Sequence, residues 1–166
     1  MDSREGQMAR PHVPNSGSAT TDGDAGPIRR VLLATDLSAV SAKAVDAAIA
    51  LATEHGAQLI VMSVVDTSRL RLPGGRFLRR VDQERARIEA GTQAIVSRAR
   101  QLGAKATFLV WEGDPAEMVL EAAGAESADV IVLGSHGRGR LGRLILGSIS
   151  GRVTEAARCP VLVIRG

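Results

Sequence analysis

The sequence predicts an α/β domain in which an open parallel sheet is covered on both faces by helices. Two observations support this class. Five apolar runs of strand length alternate with segments of helical periodicity, which is typical of consecutive β-α-β units. The chain of 166 residues is 45% hydrophobic but only 2% aromatic. Its core must therefore be built from alanine, valine, leucine and isoleucine, a composition that favours helices packed on a parallel sheet.

The first β-α unit follows a change in composition near residue 28. Residues 30–35 form an apolar run that ends at Asp36, which predicts a strand with a polar exit. Ser38 is expected to cap the next helix, because a serine side chain can accept a hydrogen bond from an N–H group of the first turn. Apolar residues at helical spacing predict that helix, which ends at Gly56: Val40, Ala44, Ala48, Leu51 and Ala52.

The second unit contains the longest predicted helix. A buried strand is expected over 59–65, and a long basic loop follows around Pro73-Gly74-Gly75. Gly91 lies inside the helix predicted over 82–102, where glycine costs about 1 kcal/mol relative to alanine. That helix is predicted from apolar residues that repeat every seven positions: Val81, Ile88, Ile95 and Leu102.

The remaining elements complete a pattern of five strands and four helices. A third strand is expected over 105–111, and the next helix begins with Asp114 as N-cap and Pro115 in the first helical position. Further along, we expect a strand over 129–133, a helix from Ile149 to about Ala157, and a fifth strand over 161–164.

The chain is expected to hold one domain, over 28–166, after a disordered tail over 1–27. The tail is rich in small and polar residues and shows no hydrophobic periodicity. The sequence has one cysteine, no apolar run like a signal peptide, and no segment of transmembrane length. The expected location is therefore the cytoplasm, without membrane association.

The charge distribution and the composition indicate which classes of partner the protein could bind. The formal net charge is +3, and arginines are concentrated in the segment 69–87. This segment fits either an anionic partner or a solvated helix and loop surface, and both interpretations stay open. The scarcity of aromatic residues argues against a reader of single-stranded nucleic acid, which would stack bases on aromatic side chains.

A glycine-rich loop after the fourth strand carries the strongest functional signal. It runs from Gly134-Ser-His-Gly137 through nine residues to Gly147-Ser148-Ile149-Ser150, where a helix starts. Glycines let backbone N–H groups approach phosphate oxygens, and a helix N-terminus adds unpaired donors and partial positive charge. The loop therefore predicts a phosphate-bearing ligand; the alternative is a plain turn between strand and helix.

A second strand, the first in the chain, also ends in polar residues that could contact a ligand. Parallel α/β sheets bind ligands beyond the carboxyl ends of their strands, where strand order reverses. Thr35-Asp36 follows the first strand and Gly134 follows the fourth. If those two strands are neighbours, one crevice holds both.

Other chemistry has less support. A Walker A loop is absent, because Ser148 stands where the lysine belongs. The stretch Gly137-Arg-Gly139-Arg-Leu-Gly142 matches the dinucleotide fingerprint literally but lacks its helix and its later acidic residue. Scattered histidines give no cluster with metal-ligand spacing and no nucleophilic triad.

These residues together resemble the ATP-binding subgroup of the universal stress protein family. The resemblance covers about 28–166 and includes the glycine signature Gly134-x-x-Gly137-(nine residues)-Gly147-Ser148. It also includes Val31-Leu-Leu-Ala-Thr-Asp36-Leu-Ser38, Gly113-Asp114-Pro115 and Cys159-Pro-Val-Leu-Val-Ile164.

The resemblance implies a strand order of 3-2-1-4-5 and a set of ligand contacts. Ala34, Thr35, Asp36 and Val64 would contact adenine and ribose, with Asp36 accepting hydrogen bonds from the ribose hydroxyls. Leu133, Gly134 and Gly137 would line the nucleotide, with Arg138 near the phosphates. Gly147, Ser148, Ile149 and Ser150 would hold the phosphates through N–H groups and hydroxyls. The alternatives are a helix-start role for Asp36 and a core role for Val64.

The implied cofactor is ATP with Mg²⁺, and the implied assembly is a homodimer through the strand Val161 to Ile164. The predicted function is a nucleotide-binding regulatory or sensor module in stress response that acts through unknown protein partners. One alternative is a slow ATP hydrolase or phosphotransferase, for which only His136 or Asp36 is available as a base. The other is a dimerisation module that binds no nucleotide.

Overall fold

The computed structural model describes residues 26–67, 75–135 and 147–165. Residues 1–25 of the tail predicted over 1–27, and most of the basic loop, lie outside these residues. A 3₁₀ turn over Ala39–Ser41 precedes the first α-helix. The strands and helices, in chain order, are β1 (Arg30–Ala34), α1 (Ala42–His55), β2 (Gln58–Val65), α2 (Gly75–Gln101), β3 (Lys105–Glu112), α3 (Pro115–Ala125), β4 (Val130–Gly134), α4 (Ser148–Ala156) and β5 (Val161–Ile164).

The strands form one parallel sheet in the order β3-β2-β1-β4-β5. This confirms both the predicted class and the predicted order. β1 lies at the centre, and its last residue Ala34 is in register with Met62 of β2 and Leu133 of β4. The exits of β1 and β4 are therefore neighbours, as the predicted crevice requires.

Successive residues of β1 point to opposite faces of the sheet, and each face has its own core. Val31 and Leu33 pack with α1 and with the C-terminal half of α2, whereas Leu32 packs with α3, Ile60 and Ile131. Each of these side chains in β1 has no exposed surface. The near-continuous apolar sequence of β1 follows from burial on both faces.

Three of the helix-to-strand connections repeat one geometry at the amino-terminal edge of the sheet. The N–H groups of Ala57, Ala104 and Ala128 each bond the carbonyl five residues earlier, at 2.8 to 3.0 Å. The residue before each alanine has a positive φ, of 63° at Gly56, 91° at Gly103 and 51° at Ser127. This is the Schellman arrangement, which satisfies the last carbonyls of a helix.

The helix α2 differs from its prediction in two ways. It begins at Gly75, seven residues before the expected start, so part of the predicted basic loop is helical. Leu102 is 54% exposed and lies just beyond the helix, whereas Val96 is buried. The reason is that a straight helix of 3.6 residues per turn drifts away from a seven-residue repeat. Thr92 and Ala99, which are expected beside the repeat, are buried, and the buried side also includes Val96.

Asp114 confirms its predicted role as the N-cap of α3. Its Oδ1 accepts hydrogen bonds from the N–H groups of Ala116 and Glu117, both at 3.0 Å. Its other carboxylate oxygen accepts a 2.8 Å bond from Arg152 of α4. The Arg152 guanidinium, helped by the N–H of Glu117, holds the pKa of Asp114 below its usual value. This pair fixes the start of α3 against α4.

Candidate functional site

A cavity of about 460 Å³ opens at the carboxyl ends of the strands, where the order of the sheet reverses. Its volume falls within the usual range of small-molecule sites, about 300–1,000 Å³. The exits of β1, β2 and β4 form its floor, and the first turn of α4 forms one wall. Residues of α2 and α3 form the others.

Every predicted site residue that the structure describes lines this cavity. Gly137 and Arg138 lie outside the described residues, as does His136. The ones that line the cavity are Ala34, Thr35, Asp36, Val64, Leu133, Gly134, Gly147, Ser148, Ile149 and Ser150.

The N-terminus of α4 lines the cavity on the side of β4. Gly147 is the N-cap of α4, and its own N–H donates to the carbonyl of Ser135 at 2.8 Å. The first hydrogen bond inside the helix runs from the N–H of Gly151 to the carbonyl of Gly147. The N–H groups of the intervening turn have no acceptor within the helix, and the helix dipole adds partial positive charge there. This turn can hold an anion.

The hydroxyl of Ser150 is used differently from the expectation. It lies 3.0 Å from the carbonyl oxygen of Gly147 and 3.2 Å from that of Ser135, and the side chain is buried. Its single proton is donated within the protein, so this hydroxyl ties α4 to the exit of β4. Ser148 is exposed and lines the cavity.

The exit of β1 is held by a set of local hydrogen bonds. Oδ1 of Asp36 accepts from the N–H of Ser38 at 3.0 Å and from the Ser38 hydroxyl at 2.6 Å. Oγ1 of Thr35 accepts from the N–H of Leu37 at 3.1 Å. Ser38 occupies the N-cap position of the 3₁₀ turn, but its side chain does not accept the predicted hydrogen bond from the N–H groups of that turn, and its hydroxyl is oriented toward Asp36 instead.

Sequence reasoning missed several residues of the cavity wall. Asp66 follows β2 directly, as Asp36 follows β1, and this parallel could have identified it. Nothing local marks the residues of α2, because their approach to the cavity depends on how the helix packs. The missed residues are Ser41, Met62, Ser63, Asp66, Glu84, Arg87, Ile88, Pro115, Val119 and Val153.

The cavity has opposite electrostatic character at its two sides. Carboxylates of Asp36, Asp66 and Glu84 lie on the side of β1, β2 and α2, while the N-terminus of α4 lies on the side of β4. Glu84 is paired with Arg87 by two hydrogen bonds of 2.6 and 2.9 Å. That hydrogen bonding raises the pKa of Arg87 above its ordinary value. An elongated ligand with hydroxyls at one end and phosphates at the other matches this polarity.

The described part of the chain has neither a metal-ligand cluster nor a helix of membrane-spanning character. Across 26–67, 75–135 and 147–165, no group of three or more histidine, cysteine, aspartate or glutamate side chains could hold a metal ion. No helix within those same ranges is long and apolar enough to cross a membrane.

Comparison with known proteins gives a consistent family. The sequence model described as "Universal stress protein family" matches residues 27–165. A universal stress protein of Thermus aquaticus is 36% identical over 140 residues, covering 82% of this chain and 98% of the relative. Universal stress protein YxiE of Bacillus subtilis is 33% identical over 147 residues, with the same coverage of both chains.

Solved structures agree in fold. Universal stress protein UspA of Lactobacillus plantarum superposes with a TM-score of 0.78 at 26% identity, covering 84% of this chain and 99% of the other. A universal stress protein in complex with cAMP gives a TM-score of 0.65 at 27% identity, covering 84% and 98%. The dAMP complex of a universal stress protein from Archaeoglobus fulgidus gives 0.63 at 22% identity, covering 84% and 100%, and supports the fold alone.

Proposed function

The chain belongs to the universal stress protein family, and on that premise we propose that its cavity binds an adenine nucleotide, with ATP as the ligand. One observation carries the proposal: the fold places a carboxylate, Asp36, and the N-terminus of α4 around one cavity of about 460 Å³. A nucleoside phosphate needs an acceptor for its ribose hydroxyls and donors for its phosphates.

The polarity of the cavity orients the proposed ligand. The phosphates lie on the first turn of α4, at Gly147, Ser148 and Ile149, and the ribose hydroxyls donate to Asp36. The base lies against apolar side chains of the cavity wall, among them Val64 and Leu133. ATP is proposed to bring Mg²⁺ coordinated by its own phosphate oxygens and water, as this ion usually is in nucleotide sites.

Related proteins support a nucleotide of this class. One universal stress protein of the same fold is described in complex with cAMP, at 27% identity to this chain. We propose a regulatory or sensor role in stress response, read by partner proteins. A bound nucleotide would contact the exit of β1, α2 and α4 together, and would change the surface that these elements present. The single cysteine fits the reducing cytoplasm as the proposed location.

Calorimetric titration of the full chain with Mg-ATP tests the proposal. We expect micromolar binding by the wild type and about tenfold weaker binding by Asp36→Asn, because the substitution replaces a charged acceptor by an amide. The variant keeps Oδ1 as an acceptor for Ser38. Asp46→Asn is the matched control, since Asp46 is exposed on α1 and pairs with Arg98 outside the cavity.

Nucleotide carried through purification is removed and measured by absorbance before the titration. A wild-type protein that is free of nucleotide and takes up no ATP would refute the proposal. Equal affinities of the wild type and Asp36→Asn would remove Asp36 from the ribose contact.

We also propose that the protein forms a homodimer through β5. β5 is an edge strand of the sheet, and its Leu162 side chain is 40% exposed. An apolar edge strand is stabilised when a second copy covers it.

Light scattering after size exclusion tests this assembly. We expect twice the monomer mass for the wild type and the monomer mass for Leu162→Glu, because the substitution buries a charge in the interface. Phe108→Glu is the matched control, since Phe108 has similar exposure on β3 at the opposite edge. A monomeric wild type, or a dimer that Leu162→Glu leaves intact, would contradict the proposed interface.

A further inference from the structure

We propose that Leu37 and Gly91 form a lock between the exit of β1 and α2, and that this lock positions Asp36 for the ribose of the bound nucleotide. The inference rests on the proposed function and extends it to residues outside the ligand contacts. Neither Leu37 nor Gly91 lines the cavity; each would act through Asp36.

The backbone of Leu37 has a conformation that needs support from its surroundings. Its φ of 59° lies in the left-handed region, which leucine adopts at an energetic cost. Such a conformation persists where surrounding contacts determine it. Leu37 is the residue directly after Asp36, so contacts that hold the backbone of Leu37 also restrain the backbone of Asp36.

The side chain of Leu37 packs against α2 at Gly91, where the helix has no side chain. A Cβ atom at Gly91 would lie 2.6 Å from Cδ1 of Leu37 and 3.5 Å from its Cγ. The absence of a side chain at Gly91 is therefore what admits Leu37. The leucine also packs against Val65, Val81 and Ile88. Glycine inside a long helix lowers helix stability. The close approach of Leu37 explains why α2 nevertheless has a glycine at position 91.

A chain of buried hydroxyls makes a second link between α2 and the same loop. Thr92, the neighbour of Gly91, places Oγ1 3.2 Å from Oγ of Ser63 and 2.7 Å from the carbonyl of Ile88. The Ser63 hydroxyl donates to the carbonyl oxygen of Thr35 at 2.9 Å. Thr92 has no exposed surface and Ser63 is 2% exposed. Both residues that flank Asp36 are thus tied to adjacent positions of α2.

The two links have a joint consequence for ligand recognition. Asp36 is fixed before the ligand arrives, so its hydrogen bonds to ribose require little ordering on binding. Weakening the lock should reduce the contribution of the ribose hydroxyls to affinity. The contribution of the phosphate contacts on α4 to affinity should be unchanged, because α4 and α2 pack on opposite faces of the sheet.

The experiment compares the affinities of full-length variants for ATP, ADP and 2′,3′-dideoxy-ATP, which lacks both ribose hydroxyls. We expect the wild type to prefer ATP to the dideoxy analogue by about tenfold. In Leu37→Ala and in Gly91→Ala the preference should fall to about twofold, because the backbone that carries Asp36 is then less firmly held against α2. The ratio of ATP to ADP affinity should stay unchanged. General destabilisation would lower the binding of all three ligands together and leave both ratios intact.

Three further variants sharpen the test. Leu37→Met keeps a long apolar side chain and should retain the preference. Gly124→Ala in α3 is the matched control, because a Cβ atom there meets nothing within 4 Å, and it should behave as the wild type. Adding Gly91→Ala to Leu37→Ala should have no further effect, since the clashing side chain is already gone.

A wild-type preference that Leu37→Ala and Gly91→Ala both preserve would overturn the lock while leaving nucleotide binding in place. A wild type that binds neither ATP nor its analogue would overturn the proposed function, and this inference with it.

Discussion

The Gly147→Glu variant is expected to bind ATP about a hundredfold more weakly than the wild type, or not at all. The new carboxylate would enter the anion-binding turn of α4, where it fills the space of the phosphates and repels them. Hydrogen bonds from N–H groups to phosphate would be lost as well, and each tenfold loss in affinity corresponds to about 1.4 kcal/mol. Calorimetric titration with Mg-ATP measures the change.

This variant should remain folded. Gly147 has a φ of −59°, which any residue can adopt. A carboxylate at a helix N-terminus also interacts favourably with the dipole. Gly151→Glu is the control: it adds the same charge one turn further along α4, where a Cβ atom meets nothing within 4 Å. We expect it to weaken binding by at most about tenfold. Unchanged affinity in Gly147→Glu would show that phosphate does not bind on this turn.

The Leu32→Ala variant is expected to lose about 2–5 kcal/mol of unfolding free energy, the usual cost of removing a large buried side chain. Leu32 has no exposed surface and lies in the central strand, in register with Ile60 and Ile131. The neighbours cannot collapse into the vacated space, because the strands on both sides are fixed by their hydrogen bonds. Such a loss is a large share of a total stability of about 5–15 kcal/mol.

Urea unfolding followed by circular dichroism measures this loss as a lower midpoint at unchanged slope. Leu102→Ala makes the same chemical change at a residue that is 54% exposed, and it should cost about 0.5 kcal/mol or less. Equal losses in the two variants would contradict the assignment of Leu32 to the core.

The strand exits explain why much of the site could be predicted from sequence. Asp36 and Gly134 each follow an apolar run, and that signal is local. The rule that ligands bind where a parallel sheet reverses its order then brings distant segments together without any knowledge of packing. The resemblance to the family supplied the remaining positions and the strand order.

The features that the sequence does not predict depend on tertiary packing. Glu84, Arg87 and Ile88 reach the cavity because of the angle at which α2 crosses the sheet, and no short sequence pattern encodes that angle. Leu102 was misplaced because a seven-residue repeat drifts around a straight helix. The side chain of Ser38 makes no cap bond, because its hydroxyl and its N–H both donate to the carboxylate of Asp36 and this pairing orients the side chain toward Asp36.

The three repeated turns at the amino-terminal edge of the sheet have a practical consequence for engineering. All the residues assigned to ligand contacts lie at the opposite edge, so a fluorescent reporter or an inserted affinity tag placed at these turns would leave the ligand contacts untouched. His55, Leu102 and Ser127 are exposed there, and exposed turns tolerate insertions well. The reporter should be attached to one of these exposed side chains, and an inserted tag should leave Gly56-Ala57 and Gly103-Ala104 intact, because the left-handed glycine and the N–H of the alanine after it together end each helix.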